Sequence, residues 1–301
     1  MERDSKTKEE IFEQTIMKNI RRKSRYTDQV QMVDGVPLFS WIDINPTELC
    51  SRKCEFCPRR NPAEYPNQNL HMDVAMAKKI ADELRSLKYR GGVIFSGYGE
   101  PLLHNDIVGL VRVFGSDIHT ELVTCGDKLS VELVKELFAA GLGVLLVSMY
   151  DGPHQVDKFK EMFAEAGLSS EQYVLRDRWY GVEEDYGVKL TNRAGTVTKG
   201  HQAAFDKDKP CYYTHYSLQI DWNGDVLLCV QDFNKKIKFG NLYAQSLLDI
   251  WKSGNINRYR KVLGKGQRVM YPCDRCNVNG TLHGWKHLEA WEEVYKSRKL
   301  Q

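Results

Sequence analysis

The chain has 301 residues, a mass of 34.8 kDa and an apolar fraction of 42%, and its 43 Lys and Arg against 40 Asp and Glu give a net charge of +3. This length predicts roughly two domains, the composition excludes a disordered chain, and the small charge argues against a nucleic-acid partner. No apolar run approaches the ~20 residues of a membrane span, and the charged N-terminus is unlike a signal peptide, so we expect a cytoplasmic protein without a membrane partner.

Residues 1–38 are predicted to form a helical extension, because apolar residues recur near helical spacing over residues 7–22. Strands and helices then alternate. Strands are predicted at residues 39–45, 92–96, 120–124, 144–148, 173–175 and 188–191. Helices are predicted at residues 73–88, 106–114, 131–140 and 154–166, with Asp73 and Ser130 as N-caps of the first and third.

The apolar strands of residues 39–200 lack a period of two, which favours parallel strands buried on both faces. We therefore predict an α/β domain, a partial (β/α)6 TIM-type barrel with too few strands for a complete eightfold barrel. Residues 201–301 are predicted to form a small α+β domain after a polar boundary at residues 198–209. An Asn-Gly turn at residues 223–224 predicts a hairpin of 215–221 with 226–230, and helices are expected at 247–252 and 282–297.

Eight cysteines in a reducing compartment predict metal ligands or catalysts rather than disulfides. Cys50, Cys54 and Cys57 form a CxxxCxxC sequence in the loop after the first predicted strand of the barrel. Three thiolates on one loop can bind three irons of a [4Fe–4S] cluster and leave the fourth iron open to a small molecule. A structural zinc site needs a fourth ligand, and the nearest histidine is His71, so zinc or free thiols are the weaker interpretations.

This spacing resembles the radical S-adenosylmethionine (SAM) superfamily, whose motif has an aromatic residue, here Phe56, before the last cysteine. The resemblance implies that the open iron chelates SAM, that Phe56 lies near the adenine, and that a [4Fe–4S] cluster and SAM are cofactors. In that family, reductive cleavage of SAM gives a 5′-deoxyadenosyl radical that abstracts a hydrogen atom from the substrate.

Behind the second strand of the predicted barrel, GYGEP at residues 97–101 resembles the family's GGE motif, although such a sequence alone is also typical of a turn. The resemblance implies that Gly97, Tyr98, Gly99 and Glu100 contact SAM, with the Glu100 carboxylate on its ammonium group. Ser148 ends the fourth strand, where relatives often contact SAM; a structural hydroxyl is an equal alternative.

The loop of the first cysteine cluster is basic. Arg52, Lys53, Arg59 and Arg60 are predicted to form a docking surface for an acidic electron donor such as flavodoxin or ferredoxin. A solvated basic surface without a partner is the alternative.

The second cluster consists of Cys211, Cys229, Cys273 and Cys276, with Gly224 between the first two. In isolation this spacing favours a zinc site. After a radical SAM core it resembles the auxiliary-cluster domain called SPASM, in its shortened form, twitch. No cysteine follows Cys276 in this sequence, so the resemblance implies one auxiliary [4Fe–4S] cluster with four cysteine ligands. Such a cluster has no open iron for substrate and is expected to relay electrons.

Arg176, Arg178, Asn192 and Arg193 lie between the last predicted strands of the barrel and the second cluster, and Asn192–Gly195 resembles an Asn-Arg-Ala-Gly stretch of relatives. Because the reaction faces the carboxyl ends of barrel strands, we expect Arg193 to contact substrate. Ion pairs with the acidic residues 183–185 are the alternative.

Cys125, at the end of the third barrel strand, stands where relatives often have Asn. It is expected to be a buried inert thiol or, alternatively, a catalytic hydrogen-atom donor, which would make the enzyme an epimerase.

The sequence therefore predicts a radical SAM enzyme acting on a hydroxylated small molecule of sugar or cyclitol type. The leading reaction is oxidation of an alcohol to a ketone, with the auxiliary cluster as electron acceptor. The alternatives are epimerisation and modification of a peptide. The 38 residues before the barrel are short for a leader-peptide-binding domain, which weighs against a peptide substrate. A zinc-binding module without catalysis is the remaining alternative.

Overall fold

A computed structural model describes residues 8–178, 191–198 and 204–297, with side chains from residue 17 onward. The strand predicted at residues 188–191 and the acidic residues 183–185 lie outside the described residues, except for Thr191. No helix in the described part of the chain is long and apolar enough to cross a membrane.

The core of the molecule is one sheet of eight strands. In the described residues the strands are β1 (Met32–Val33), β2 (Val36–Pro37), β3 (Trp41–Ile44), β4 (Gly92–Phe95), β5 (His119–Thr124), β6 (Val144–Met149), β7 (Tyr173–Asp177), β8 (Ser217–Ile220), β9 (Asp225–Leu227) and β10 (Lys238–Asn241). The large sheet has the order β10-β9-β8-β3-β4-β5-β6-β7. Strands β8 and β3 to β7 are parallel, whereas β9 and β10 add to the β8 edge in antiparallel orientation.

Helices cover the outer face of the parallel strands. The described helices are α1 (Lys8–Thr27), α2 (Val74–Ser86), α3 (Ile107–Phe114), α4 (Val131–Ala139), α5 (His154–Glu165), α6 (Tyr213–Tyr216), α7 (Leu247–Lys252), α8 (Gly254–Gly264) and α9 (Trp285–Ser297). The predicted caps are confirmed: the Asp73 carboxylate accepts a hydrogen bond from the Met76 amide, and the Ser130 hydroxyl accepts one from the Leu133 amide. Every residue of β4 and β6 is buried, as expected for parallel strands covered on both faces.

The inner face of the curved sheet has its own apolar cluster, separate from the core beneath the helices. Its buried members are Trp41, Ile94, Val144, Leu146, Val174 and Tyr216, from β3, β4, β6, β7 and the residue before β8, and the partly buried Val123 of β5 packs against them. Helix α1 closes this side near the amino ends of the strands, where Tyr26 stacks on His119 with ring centroids 4.4 Å apart. The α/β class and the partial-barrel architecture are thus confirmed, with the carboxyl ends of the strands left for the site.

The hairpin after residue 210 is confirmed, but two details differ from the prediction. Strands β8 and β9 pair around Gly224, whose φ of +78° suits a residue without Cβ. His215 and Tyr216, predicted as strand, form helix α6 instead. Strand β8 also pairs with β3, so a strand from the predicted second domain extends the barrel sheet. Helix α8 was not predicted from the sequence. Its Arg260 is fully buried between Trp251 and Trp291.

Candidate active site

The sequence-predicted site residues follow the carboxyl ends of neighbouring parallel strands, which meet at one edge of the sheet. The first cysteine loop follows β3, residues 97–100 follow β4, and Cys125 follows β5. Ser148 lies at the end of β6, and it pairs in register with Arg176 on β7. The structure therefore brings these segments together.

The first cysteine loop is fixed by its backbone. The Cys50 amide donates to Asn67 Oδ1 at 2.8 Å, and Asn67 Nδ2 donates back to the Cys50 carbonyl at 3.1 Å. The Cys57 amide donates to the Cys54 carbonyl at 3.0 Å, which closes a turn before a short 3-10 helix. The three cysteine side chains on this loop are partly buried.

Burial raises the pKa of Cys50 to about 11, and the Glu100 carboxylate and the thiols of Cys57 and Cys54 act in the same direction. The three sulfurs therefore lie within electrostatic range of one another. With this raised pKa the Cys50 thiol is protonated at neutral pH until a metal displaces its proton. The donor set thus fits an iron–sulfur cluster with three protein ligands.

Phe56, predicted to lie near the adenine of SAM, is 5.7 Å from Tyr150 between ring centroids. Tyr150 follows β6 and carries the Arg52 guanidinium 5.4 Å above its ring. Burial raises the pKa of Tyr150 to about 12. Sequence reasoning missed Tyr150, although an aromatic residue directly after an apolar strand was a usable signal.

The 97–100 loop approaches β3 so closely that glycine is required. A Cβ on Gly99 would lie 2.1 Å from the Thr47 carbonyl oxygen, and Gly97 has a φ of +131°. Asn45 Oδ1 accepts hydrogen bonds from the amides of Tyr98 at 3.0 Å and Gly99 at 3.2 Å. The end of β3 therefore sets the position of this loop.

Glu100 is 5% exposed, and both of its carboxylate oxygens already have protein partners. Oε1 accepts from the Thr124 hydroxyl at 2.6 Å, and Oε2 accepts from the Cys125 amide at 2.8 Å. Burial raises the pKa of Glu100. The carboxylate expected on the SAM ammonium thus fastens the 97–100 loop to the end of β5.

Tyr98 points toward the second cysteine cluster. Its hydroxyl donates to the carbonyls of Cys229 and Asp232, each at 3.3 Å, and its ring meets Phe233 edge-on at 4.9 Å. Cys57 packs against the same small apolar cluster. One aromatic side chain therefore connects the segments that carry the two sets of cysteines.

A buried ionic network lies behind these loops. Arg59 and Glu48 are 5% and 8% exposed, and Arg59 Nη2 donates to Glu48 Oε2 at 2.5 Å. Lys235, from the segment after β9, donates to Glu48 Oε1 and pairs with Asp221 at 2.8 Å. Asn45 Nδ2 donates to both carboxylates, at 3.0 and 2.8 Å. The network joins the first cysteine loop to the chain that carries the second cluster.

This network corrects the prediction of one basic docking surface. Arg59 is buried, pairs with Glu48 and also donates to the carbonyls of Tyr98 and Pro66. Its guanidinium therefore does not contribute to an exposed basic surface. Arg52 is held by Asp127 and Asp151 across the site.

The four cysteines after residue 210 line one small internal cavity, together with residues that include Tyr213, Thr214 and Arg268. Burial raises the pKa of Cys211 to about 11, and it also raises that of Cys229, where the other three thiols add to the effect. Within the described ranges no three His, Cys, Asp or Glu side chains converge closely enough for a single metal ion. In a [4Fe–4S] cluster each thiolate binds a different iron, so the four sulfur atoms lie farther apart than the ligands of a single metal ion. The four cysteines fit such a cluster.

Arg268, which sequence reasoning missed, holds the second cysteine site together. It is 3% exposed, and its guanidinium donates to the carbonyls of Lys209 at 2.7 Å, Cys276 at 2.7 Å and Val278 at 2.9 Å. The segment before Cys211 is thereby fixed to the segment that carries Cys276. Such contacts join positions far apart in sequence, and no local pattern indicates them.

Arg193 sits in a strained loop beside the second cysteine site. Arg193 and Ala194 both have positive φ, 46° and 53°, which is costly for residues other than glycine. Asn192 fixes this loop, since its amide donates to Asn277 Oδ1 at 2.7 Å and its Nδ2 donates to the Arg275 carbonyl at 2.7 Å. The Arg193 charge lowers the pKa of Cys276, which burial raises. The guanidinium therefore lies near the second cysteine site.

Ser148 and Cys125 are both engaged by protein groups. The Ser148 hydroxyl accepts a hydrogen bond from Arg176 Nη2 at 2.6 Å. Cys125 is 6% exposed, and its sulfur lies 3.9 Å from the Ser51 hydroxyl. Burial raises the pKa of Cys125, and the neighbouring Glu100 carboxylate acts in the same direction, so this thiol stays protonated under the first cysteine loop.

Two family profiles match the chain. The radical SAM superfamily matches residues 44–172, and SPASM, an iron–sulfur cluster-binding domain, matches residues 211–277. These ranges contain the first and the second group of cysteines.

The chain is similar over most of its length to one characterised enzyme. The S-adenosyl-L-methionine-dependent 2-deoxy-scyllo-inosamine dehydrogenase of Niallia circulans is 29% identical over 245 residues, 80% of this chain and 93% of the relative. The crystal structure of BtrN in complex with AdoMet and 2-DOIA superposes with a TM-score of 0.70 and 25% identity, over 83% of this chain and 98% of BtrN. BtrN in an open conformation shares the fold, with a TM-score of 0.60, 24% identity and coverage of 80% and 93%. The resemblance inferred from the motifs is confirmed.

Removal of the central charge of the buried network tests its role. Glu48→Gln leaves the buried Arg59 guanidinium without its carboxylate partner, and breaking such a pair costs about 3–5 kcal/mol. We expect the melting temperature of the iron-loaded protein to fall by at least about 5 °C. Asp82→Asn, which removes an exposed partner of Lys78, is the control and should change it by less than about 3 °C. Equal melting temperatures for the two variants would contradict the structural role of Glu48.

Proposed function

We propose, from the premise that the chain is a radical SAM enzyme with a SPASM-type iron–sulfur domain, that it oxidises a hydroxyl group of a cyclitol or sugar to a ketone. The observation that carries the proposal is the cavity lined by all four cysteines that follow residue 210. Four thiolates bind all four irons of a [4Fe–4S] cluster and leave none open for substrate. The auxiliary cluster is therefore proposed to accept an electron rather than to bind substrate. The name of the relative from Niallia circulans describes a dehydrogenase of this substrate class.

Cys50, Cys54 and Cys57 are proposed to bind the cluster that activates SAM. When bound and reduced, that cluster and SAM together supply the 5′-deoxyadenosyl radical that takes a hydrogen atom from the substrate. Gly97 and Gly99 let this loop pack against Asn45 and Thr47, and the backbone positioned in this way is proposed to face SAM. Phe56 and Tyr150 are proposed to line the same edge. Glu100 acts by fixing this loop to β5, while the remaining backbone of residues 97–99 faces SAM.

Oxidation of an alcohol to a ketone removes one hydrogen atom, one proton and one further electron. Cys211, Cys229, Cys273 and Cys276 are proposed to hold the cluster that takes that electron. Arg193 is proposed to contact the substrate. In support, the strained loop held by Asn192 and Asn277 brings its positive charge near Cys276. On this account residues 39–200 are the catalytic core and residues 201–301 the auxiliary domain.

The electron donor is proposed to be an acidic redox protein that docks at the exposed part of the first cysteine loop. Lys53 is exposed, and Arg60, 42% exposed at its side chain, pairs with Glu55. Among the four basic residues of the loop, Lys53 and Arg60 are the exposed ones. Positive charge close to the cluster favours an encounter with an acidic protein.

Loss of one auxiliary ligand separates the two steps of the reaction. Cys229→Ser is expected to reduce the iron content of anaerobically purified protein from about eight to about four atoms per chain. SAM cleavage by dithionite-reduced protein should persist, because the first cysteine loop is intact, whereas ketone formation should fall at least about 100-fold. Ketone formation at the parental rate with four irons would overturn the role of the auxiliary cluster.

The position of Cys125 under the first cysteine loop predicts oxidation rather than epimerisation. Cys125→Ala is expected to retain ketone formation within about threefold, because the thiol is buried under the first cysteine loop in contact with Ser51 and Glu100. The measurement is product mass together with deuterium incorporation from solvent. A product of unchanged mass that disappears with Cys125→Ala would establish the epimerase alternative.

Charge reversal tests the docking surface. Lys53→Glu with Arg60→Glu is expected to slow reduction of the cluster by flavodoxin at least about tenfold at low salt, while reduction by dithionite is unchanged. Reversal of Lys261 on α8, in the predicted auxiliary domain, is the matched control. Equal flavodoxin rates for the loop variant and the control would place the donor elsewhere.

A further inference from the structure

Tyr98 lies between the two groups of cysteines. It follows β4, on the loop proposed to face SAM, and it is 2% exposed. Its hydroxyl donates to the carbonyl of Cys229 at 3.3 Å, so it reaches the backbone of one cysteine of the second group directly. The apolar cluster that contains its ring also packs against Cys57 of the first group. The two groups of cysteines are thus joined by Tyr98 and the residues packed around it.

Hydrogen bonds and ring contacts make this connection continuous. Arg59, in the 3-10 helix that directly follows Cys57, donates to the Tyr98 carbonyl. The Tyr98 ring meets Phe233 edge-on with centroids 4.9 Å apart, and Phe233 is itself 6% exposed. Bonded and closely packed atoms therefore run from the first cysteine loop to the segment that carries Cys229.

The surroundings of Tyr98 keep its phenol protonated and reduced. Burial raises the pKa of Tyr98 well above its usual range. Its hydroxyl donates to the carbonyls of Cys229 and Asp232, which are not bases that take up a proton. The Lys235 ammonium lies 4.6 Å from the ring centroid, where its charge opposes formation of a tyrosyl cation. Oxidation of Tyr98 is therefore disfavoured, and its ring can serve electron transfer only as a bridging medium.

The packing around Tyr98 suits electron tunnelling. Tunnelling between two redox centres is faster through bonded and closely packed atoms than across gaps, and protein interiors are packed with few voids. Tyr98, Leu227 and Phe233 form such a packed region, since each is at most 6% exposed. The contacts of this region with both cysteine segments therefore provide a path for an electron.

We propose that Tyr98 is the bridge through which an electron returns from the cluster site of Cys229 to the cluster site of Cys57. The auxiliary cluster is oxidised in this step and the first cluster is reduced. This inference rests on the proposed function, in which the substrate radical supplies the electron. The cycle then balances: one SAM and one alcohol give methionine, 5′-deoxyadenosine, a ketone and one proton, and no net electron is consumed. An external donor is required only to start the cycle.

Cryoreduction of the reconstituted holoenzyme tests the bridge without SAM or substrate. Irradiation of the frozen, oxidised protein at low dose places an electron on either cluster, and stepwise annealing allows the electron to move before each electron paramagnetic resonance spectrum. The spectrum of Cys229→Ser, which is expected to keep only the first cluster, identifies the two signals. We expect the auxiliary signal to decay on annealing while the signal of the first cluster grows.

Substitutions at Tyr98 separate the ring from the hydroxyl. Tyr98→Leu leaves a cavity in place of the ring and should slow the decay of the auxiliary signal at least about tenfold. Tyr98→Phe keeps the ring but loses the contact with the Cys229 carbonyl, and its rate should lie between those of the Leu variant and the parent. Tyr65→Leu is the matched control, because Tyr65 packs on Phe233 with centroids 5.2 Å apart, and it should keep the parental rate. Tyr98→Met, which fills more of the space, replaces the Leu variant if that variant binds fewer than about eight irons.

No movement of the electron toward the first cluster in the parent would overturn the proposal, as would equal decay in Tyr98→Leu and the control. A Phe variant as slow as the Leu variant would also overturn it, because the phenol rather than the ring would then be required. Failure of the proposed function is distinct: it appears as absence of ketone from any cyclitol or sugar, whatever the rate of electron movement between the clusters.

Discussion

The arrangement of the site depends on one buried carboxylate. Glu48 follows the strand that begins the barrel, and it receives charged hydrogen bonds from Arg59 of the first cysteine loop and Lys235 of the chain after β9. Asn45, from the same turn, holds the 97–100 loop and links Glu48 to Asp221. Because buried charges need partners, the segments that carry the two sets of cysteines cannot separate without leaving an ion uncompensated. The distance between the two redox sites is therefore fixed by electrostatics as well as by the sheet.

The eight cysteines divide by environment. Three lie partly buried on the loop after β3, and four line one small cavity, where Cys211 and Cys276 are buried and Cys229 and Cys273 are partly buried. The eighth, Cys125, sits under the loop among polar partners. Burial raises the pKa of Cys50, Cys125 and Cys211, so metal binding rather than a low intrinsic pKa makes Cys50 and Cys211 ionise. These two environments are the basis for proposing that one site activates SAM and that the other accepts an electron.

Much of this fold could be predicted from local patterns. The five strands from β3 to β7 and the helices capped by Asp73 and Ser130 follow from apolar periodicity and side-chain capping. The two sets of cysteine ligands were predicted from the spacing of the cysteines along the sequence. What could not be predicted depends on contacts between distant segments: Arg59 turns inward to Glu48, and Tyr98 reaches the carbonyl of Cys229. Arg268 likewise spans Lys209 and Cys276. A basic residue beside a cysteine motif gives no local signal of whether it faces solvent or a buried carboxylate.

The central claim is that one cluster keeps an iron open while the other is saturated by cysteine. Mössbauer spectroscopy of protein reconstituted with ⁵⁷Fe, before and after addition of SAM, tests it most directly. The account predicts about eight irons in two [4Fe–4S] clusters, of which SAM changes the isomer shift of one iron and leaves the second cluster unaltered. A single cluster, or SAM-dependent changes at irons of both clusters, would contradict it.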